Sequence, residues 1–177
     1  MKKHFVILLG LVLLFAFSSV NAQSKIGFSV GPELALPMGS FGDVAGMGFG
    51  ASVGGEMNLA DNINGFVTVG YLTFGEKDVA GVAKWQYSGI PILVGAKYYF
   101  GKDGFYGLAE TGFHLWTITS TVTLFGASVS GDASSSEFSY GVGAGYEVGS
   151  FDFNAKYMGA GSGISYVGVR AAYKFSL

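Results

Sequence analysis

Residues 138–148 read FSYGVGAGYEV, with large apolar or small aliphatic side chains at every second position and Ser, Gly or Glu between them. A period of two places each set on one face of a β-strand. The same alternation runs through residues 26–36, 47–59 and 167–177. These segments therefore predict a sheet with one apolar side and one side of small or polar residues.

The composition excludes several classes of protein. The 177-residue chain is 50% hydrophobic and 12% charged, with 30 Gly and no Cys. So much apolar surface excludes a disordered chain. Without Cys there is no disulfide framework and no thiolate metal site. The net charge of −2 provides no basic surface, so we expect no nucleic-acid partner.

The N-terminus has the three parts of a secretory signal peptide. Residues 1–3 (MKK) are basic, residues 5–17 are an apolar run, and residues 20–22 (VNA) form a small-x-Ala cleavage pattern. The run is shorter than the roughly 20 residues that cross a bilayer as a helix. We expect residues 1–22 to be a cleaved signal peptide and residues 23–177 to be one exported domain.

Eight alternating segments fit the exported domain, and the connections between them are mostly long at one end and short at the other. Long connections and tight turns at opposite ends are typical of a transmembrane barrel. We therefore predict an all-β fold, an eight-stranded antiparallel up-and-down transmembrane β-barrel. The predicted strands are 25–36, 47–59, 64–74, 83–100, 105–117, 137–148, 151–159 and 164–177, and the long connections are 37–46, 75–82 and 118–136.

The predicted strand 83–100 contains one irregularity. Trp85 and Tyr87 are out of phase with Ile90 and the apolar positions that follow, and Pro91 lies next to this change. An extra residue would move the apolar side chains to the other face. The pattern predicts a β-bulge near residues 88–89.

Charged residues avoid the apolar face of every predicted strand interior. A charge there at mid-bilayer would cost about 2–4 kcal/mol. A soluble, lipocalin-like cup with its apolar face inward is the alternative, but its outer face would be mostly Gly and Ser and poorly soluble. By strand parity, the opposite face carries a lumenal charge network of both signs: Glu33, Glu56, Lys97, Glu110, Glu147, Asp152, Lys156, Arg170 and Lys174.

Two contacts are expected within this lumenal charge network. The turn at residues 149–150 places Glu147 opposite Asp152, and two like charges across a ladder need a cation beside them. Arg170 is preferred over Lys174 for this place, because a guanidinium can form two hydrogen bonds with a carboxylate. By the same reasoning, Lys97 is expected to meet Glu110 across the turn at 101–104.

The signal peptide, the eight alternating segments and the final alternation at Tyr173, Phe175 and Leu177 resemble the OmpA-like superfamily of Gram-negative outer-membrane β-barrel domains. Residues 90–100 (IPILVGAKYYF) are similar to a central strand of that family. The resemblance implies the cell outer membrane as location, with lipid and lipopolysaccharide as partners. It also implies insertion by the barrel-assembly machinery, which reads a terminal strand that usually ends in Phe; here the last residue is Leu177.

Motifs for catalysis or cofactor binding are absent from the sequence. There is no G-x-G-x-x-G, Walker or H-E-x-x-H pattern. His114 is the only histidine after residue 22, so a multi-His metal site is excluded. Some outer-membrane barrels modify lipid A with a His and a Ser, but no Ser follows His114 two positions on. We interpret His114 as a lumenal histidine and Glu33 and Glu110 as counter-charged lumenal residues, and expect no catalytic residues, metal or cofactor.

The sequence predicts a non-enzymatic small outer-membrane barrel with a structural or surface-interaction role and a lumen plugged by charged residues. The alternative is a narrow channel or transporter for small or hydrophobic solutes, and an enzyme that modifies lipid A is a distant third. Eight strands close a barrel that its interior side chains just fill, which disfavours a wide pore. The Ser- and Thr-rich residues 118–136 could bind an extracellular ligand, although a mobile loop or an extended hairpin is the preferred interpretation.

Overall fold

The computed structural model describes residues 26–79, 83–124, 127–161 and 163–176. These residues form nine antiparallel strands and one short helix. The strands are β1 (Gly27–Pro37), β2 (Gly48–Ala60), β3 (Ile63–Phe74), β4 (Lys77–Val79), β5 (Ala83–Tyr99), β6 (Phe105–Leu124), β7 (Ala127–Val148), β8 (Phe151–Ala160) and β9 (Ile164–Ser176), and the helix is α1 (Gly39–Val44).

Eight of the strands close a barrel in chain order. Each pairs antiparallel with the next, β3 pairs with β5, and β9 returns to β1 along a ladder from Gly27↔Ser176 to Pro37↔Tyr166. The three-residue strand β4 pairs only with the start of β5, above the end of β3. The predicted up-and-down barrel of eight strands is confirmed. The predicted signal peptide lies outside the described residues.

The apolar face of the strands points outward. Phe138 is 58% exposed, whereas its neighbour Ser139 is completely buried. The same contrast holds along β1, where the side chain of Leu34 is exposed and that of Glu33 is buried. A barrel with an apolar exterior and a polar interior is suited to lipid, and this arrangement excludes the inverted, cup-like alternative.

The short-turn end of the barrel holds the turns at 61–62, 100–104 and 149–150, and its outer surface is aromatic. Phe100 and Phe105 flank one turn and are strongly exposed, and the Phe105 and Tyr146 rings lie 4.4 Å apart. Rings at this level match the interfacial girdle of a membrane barrel.

The opposite, long-loop end is closed by α1. Phe41 of this helix is buried in edge-to-face contact with Phe74 and Tyr87 (ring centroids 5.1 and 5.3 Å apart), and Trp116 lies 6.0 Å away. Lys77 donates a hydrogen bond to the carbonyl of Gly42 and holds α1 from the β4 side. We call the aromatic group of Phe41, Phe74, Tyr87 and Trp116 the plug. Among the described residues, no helix is long and apolar enough to cross a membrane.

The predicted bulge near residues 88–89 is wrong. The β5–β6 ladder runs without a shift from Ala83↔Val122 to Tyr99↔Tyr106. Trp85 and Tyr87 therefore share the inner face of β5, where they pack with the plug. The change of pattern has another cause: at this level the barrel interior is apolar, so large side chains move inside without an extra residue.

The predicted bounds of the long connection 118–136 are also wrong, whereas the extended hairpin that was one interpretation of this segment is confirmed. Strand β6 continues to Leu124 and β7 begins at Ala127, so most of this segment is a hairpin that extends beyond the barrel. Thr119 donates to Asp132 (2.8 Å), and the hydroxyls of Thr121 and Ser130 lie 2.9 Å apart. Such cross-strand hydroxyl pairs, on a chain rich in β-branched residues, stabilise strand pairing outside the membrane.

Candidate functional site

An ion cluster centred on Lys97 fills the lumen near the short-turn end. Lys97 projects inward from β5 and is buried, and its Nζ donates to Glu56 (2.6 Å), Glu147 (2.8 Å) and Asp152 (2.8 Å). Tyr99 donates to Glu147 (2.9 Å), and Tyr106 donates to Asp152. Because these groups come from strands β2, β5, β6, β7 and β8, the cluster ties opposite walls of the barrel together.

Lys174 completes this Lys97 cluster. Its Nζ lies 2.6 Å from Glu147 and 3.3 Å from Glu56. Oxygen atoms of Glu56, Glu147 and Asp152 lie within 4.8 Å of one another, a spacing that could hold a metal ion. The ammonium group of Lys97 contacts all three carboxylates, so it occupies the place that an ion would take.

Glu147 and Asp152 are paired across the β7–β8 ladder, as their spacing around the turn predicts. The expectation that Arg170 neutralises them is wrong, because Lys97 and Lys174 do so. Arg170 on β9 pairs with Asn154, which lies two residues after Asp152 on β8. The guanidinium turns the other way, and Lys97 reaches the two acids from across the lumen.

A second polar layer lies deeper in the barrel. Lys156 is buried between Glu110 (2.9 Å) and Glu33 (3.3 Å). The predicted contact between Lys97 and Glu110 is therefore wrong. Lys97 has three carboxylates on its other side, and their combined attraction exceeds that of a single diagonal neighbour.

Arg170 belongs to this second layer but binds hydroxyls. Its Nε donates to Ser52 Oγ (2.7 Å) and its Nη2 donates to Ser29 Oγ (3.0 Å). Ser52 in turn donates to Glu33 (3.4 Å), the residue paired with Arg170 across β1 and β9. Arg170 and Glu33 are thus connected through Ser52.

A polar cavity of about 30 Å³ lies between the two layers. Lys97, Glu110, Asn154 and Arg170 are among its lining residues, and Asn154 Oδ1 has no hydrogen-bond partner among the described residues. A polar cavity of this size holds about two water molecules. It is far smaller than an aqueous channel.

His114 lies above these layers, against the plug. Nδ1 is 2.7 Å from Ser139 Oγ, and Nε2 is 2.9 Å from the hydroxyl of Tyr166. Ser139 Oγ also lies 3.2 Å from the carbonyl of Glu137, which can accept its proton when Nδ1 carries the imidazole proton. Both His114 and Ser139 are completely buried. The arrangement is that of a structural hydrogen-bond chain.

Sequence reasoning missed Ser139, Tyr166 and Ser52. Parity places all three on the inner face, but no motif indicates that they meet His114 or Arg170. The only signal in the sequence was their inward-facing position, because a polar side chain buried there requires a hydrogen-bond partner. Which partner it takes depends on the closed barrel.

The β6–β7 hairpin leaves one sheet edge open at the long-loop end. β7 pairs with β6 from Ala127 onward, but its ladder with β8 extends only from Ser139 to Val148. In the part of the chain that the structure describes, residues 127–137 therefore have a strand partner on one side only, because the Phe138 carbonyl accepts from the Gly161 N–H (3.0 Å). Residues 130–136 are exposed. No Pro or Lys occurs in residues 127–137 to block this open edge, and its two charged residues are Asp132 and Glu137.

A boundary between apolar and hydroxyl side chains crosses the outer face of three strands at one level. Tyr71, Ile90 and Leu115 are exposed apolar residues below it. At the next outward-facing position towards the long-loop end, Ser88 pairs with Thr117, and Thr117 pairs with Ser134. From Phe105 to Leu115, the apolar face of β6 covers the roughly 10 residues that a tilted strand needs to cross a bilayer.

No family model matches the chain, and no curated protein matches it. Solved structures do. The attachment invasion locus protein Ail of Yersinia pestis matches with a TM-score of 0.57 at 12% identity, over 86% of this chain and 97% of that one. The N-terminal β-barrel domain of OprF from Pseudomonas aeruginosa matches with a TM-score of 0.54 at 16% identity, over 86% and 100%.

A major outer membrane protein from Thermus thermophilus matches with a TM-score of 0.53 at 15% identity, over 85% of this chain and 99% of that one. The matches cover nearly the whole of each compared chain. At these identities they show a shared fold.

Proposed function

We propose, from the fold of small eight-stranded outer-membrane barrels, that this chain is a non-enzymatic outer-membrane protein. Its closed barrel holds an extended β-sheet that binds a partner at the cell surface. Its short turns face the periplasm and its long-loop end faces the exterior. The apolar outer face and the aromatic girdle support the membrane location, and the tight turns at one end with the extended hairpin at the other support this orientation. Lipid is then the solvent of the barrel, and the barrel-assembly machinery is the partner that inserts it.

The contents of the lumen support a scaffold more strongly than a channel. Two layers of ion pairs and the plug lie one above another along the barrel. Opening a path would require breaking buried ion pairs, at a cost of several kcal/mol each. A rigid, filled barrel is suited to hold extramembrane elements in a fixed position.

The open edge of β7 is the observation that supports surface interaction. An edge strand with unpaired backbone groups accepts an extended peptide as a further strand. Residues 127–137 provide such an edge on a sheet that β5 and β6 hold in place. We therefore infer that the partner is an extended polypeptide segment exposed at the cell surface.

Site-specific photo-crosslinking on intact cells tests this function. A photoreactive side chain at Ala133, in the open edge, is expected to form polypeptide adducts. The same group at Phe153, on the apolar outer face of β8, is the matched control and is expected to form none. Equal yields of protein adducts from the two positions would contradict the role of the edge.

Planar-bilayer recordings test the alternative of a narrow channel. The purified mature chain is expected to show no steady conductance, because the lumen is blocked at several levels. A stable, single-sized conductance step would favour the channel over the scaffold.

A further inference from the structure

The open edge of β7 presents a defined set of backbone groups. The Gly161 N–H donates to the Phe138 carbonyl on the β8 side (3.0 Å), and the Glu147 N–H donates to the Gly104 carbonyl on the β6 side (3.0 Å). Backbone groups of successive residues in a strand point to opposite sides, and the β6–β7 ladder has no register shift. The even-numbered residues of the open edge, such as Ser134, therefore direct their N–H and C=O groups away from β6, to the unpaired side.

The two acidic residues of the open edge lie on opposite faces of the hairpin. Asp132 is an even number of positions from Phe138 on the outer face, whereas Glu137 precedes Phe138 and lies on the other face. Thr119 donates to Asp132 (2.8 Å), but a hydroxyl does not neutralise a carboxylate. Residues 105–148, which include the whole hairpin, contain no Lys or Arg. The hairpin therefore has no cation of its own to balance these acids.

The rest of the long-loop end does not reverse this negative charge. Its other charged residues are Asp43, Glu76, Lys77, Asp78 and Lys84. Lys77 already donates to the carbonyl of Gly42, and Lys84 pairs with β6, two strands away from β7. A surface with excess negative charge attracts basic partners. A second copy of this chain is disfavoured at the open edge, because it would bring like charges together.

A groove of about 480 Å³ adjoins the lower end of the open edge, where β8 ends beside β7. Phe138 and Tyr140 line it together with Gly161 and Gly163. Glu137 is the only charged residue among its described lining. A strand added along the open edge therefore has space at its lower end, and the one charge that it meets there is negative.

We propose that the open edge of β7 binds a basic extended segment that carries cations on both faces of the added strand. This inference rests on the proposed function and names the chemistry of its partner. A cation opposite Asp132 lies on the outer face. A cation opposite Ser135 lies on the other face and reaches Glu137 as its diagonal neighbour, a distance that long side chains span. The two cations are thus three positions apart in the partner.

Fluorescence anisotropy with defined peptides and the full mature chain in phospholipid nanodiscs tests the proposal. The probe is a labelled peptide of alternating Thr and Val with two Lys three positions apart. In one control peptide the Lys are four positions apart and share a face, and in another both are replaced by Glu. We expect about ten-fold tighter binding of the probe than of the Glu peptide, and about two- to five-fold tighter than with both Lys on one face. Salt is expected to reduce both differences.

Charge variants locate the effect on the open edge. D132N and E137Q are each expected to weaken binding of the probe about two- to five-fold, the usual effect of one exposed ion pair. D43N is the matched control, because Asp43 is an exposed acid of the same end of the barrel but lies on α1. It is expected to bind like the wild type.

S134P distinguishes this inference from the proposed function. Pro removes the Ser134 N–H, which faces the unpaired side, and leaves the ladder with β6 in place. It is expected to weaken binding of every peptide about ten-fold. The charge variants keep the test decisive if S134P does not fold.

Equal binding of the Lys and Glu peptides, or unchanged binding by D132N and E137Q, would overturn the basic partner alone. Absence of peptide binding by the wild type, or binding that S134P does not change, would overturn the partner together with the role of the open edge. Dimers of the wild-type chain that S134P abolishes would identify a second copy as the occupant and overturn the proposal.

Discussion

Lys97 on β5 and Asp152 on β8 are 55 positions apart in sequence, yet Lys97 Nζ lies 2.8 Å from Asp152 Oδ2. The two strands are not neighbours in the barrel, so the ion pair spans the lumen. Lys97 holds Glu56 and Glu147 in the same way. Each of these contacts resists separation of the walls, which makes the Lys97 cluster a brace for the closed barrel.

Replacing Lys97 by Met is expected to destabilise the barrel by about 3–5 kcal/mol, because three buried carboxylates lose their shared cation. Equilibrium unfolding in urea from lipid vesicles measures the loss. K174M is the matched control, since the Lys174 side chain is 22% exposed and shares its acids with Lys97. A loss for K97M no larger than that for K174M would contradict the central position of Lys97.

Arg170 and Ser52 are expected to be energetically coupled. R170A leaves the Ser52 hydroxyl without its 2.7 Å donor, and S52A leaves Nε of the guanidinium without its acceptor, while Nη2 keeps Ser29. A double-mutant cycle is expected to give a coupling of about 1–2 kcal/mol, within the range for residues in contact. A parallel cycle between Arg170 and Glu147, which share no hydrogen bond among the described contacts, serves as the control and is expected near zero.

Gly50 and Gly55 of β2 are expected to differ in their tolerance of Ala. A Cβ atom at Gly50 would overlap the carbonyl of Tyr71 on β3, whereas none of the described atoms lies within 4 Å of a Cβ at Gly55. G50A is expected to cost about 1–3 kcal/mol through displacement of the strands. Thermal unfolding of G50A and G55A on gels measures both effects, and equal melting temperatures would argue against this close approach.

Val169 tests which face of the strands meets lipid. Its side chain is exposed on the outer face of β9, in the apolar band. V169R is expected to reduce the free energy of folding into bilayers by about 2–4 kcal/mol. S130R carries the same charge on the outer face of the hairpin beyond the apolar band, and is expected to fold like the wild type. If V169R folds as well as S130R, the outer face is not in contact with lipid.

The sequence by itself determined the two faces of the strands and the number of strands that close the barrel. Alternation is a local property, because successive side chains point to opposite sides of any extended chain. A charge on the outer face is costly in lipid, so the pattern separates the faces sharply, as Phe138 and Ser139 show. The pairing of Glu147 with Asp152 was also predictable from local sequence, because a tight turn sets the register of the two strands that it joins.

Only the tertiary structure decided which inward residues meet. Closure brings β5 opposite β8 and β2, so Lys97 reaches acidic residues on strands that are not its neighbours. Arg170 binds Ser52 and not the two acids expected from the register of β8 and β9. Closure also allows α1 to enter the long-loop end, and the apolar interior it creates accepts Trp85 and Tyr87. In a narrow lumen, contacts depend on distance across the barrel and on the reach of long side chains, and neither is encoded in the period-two pattern.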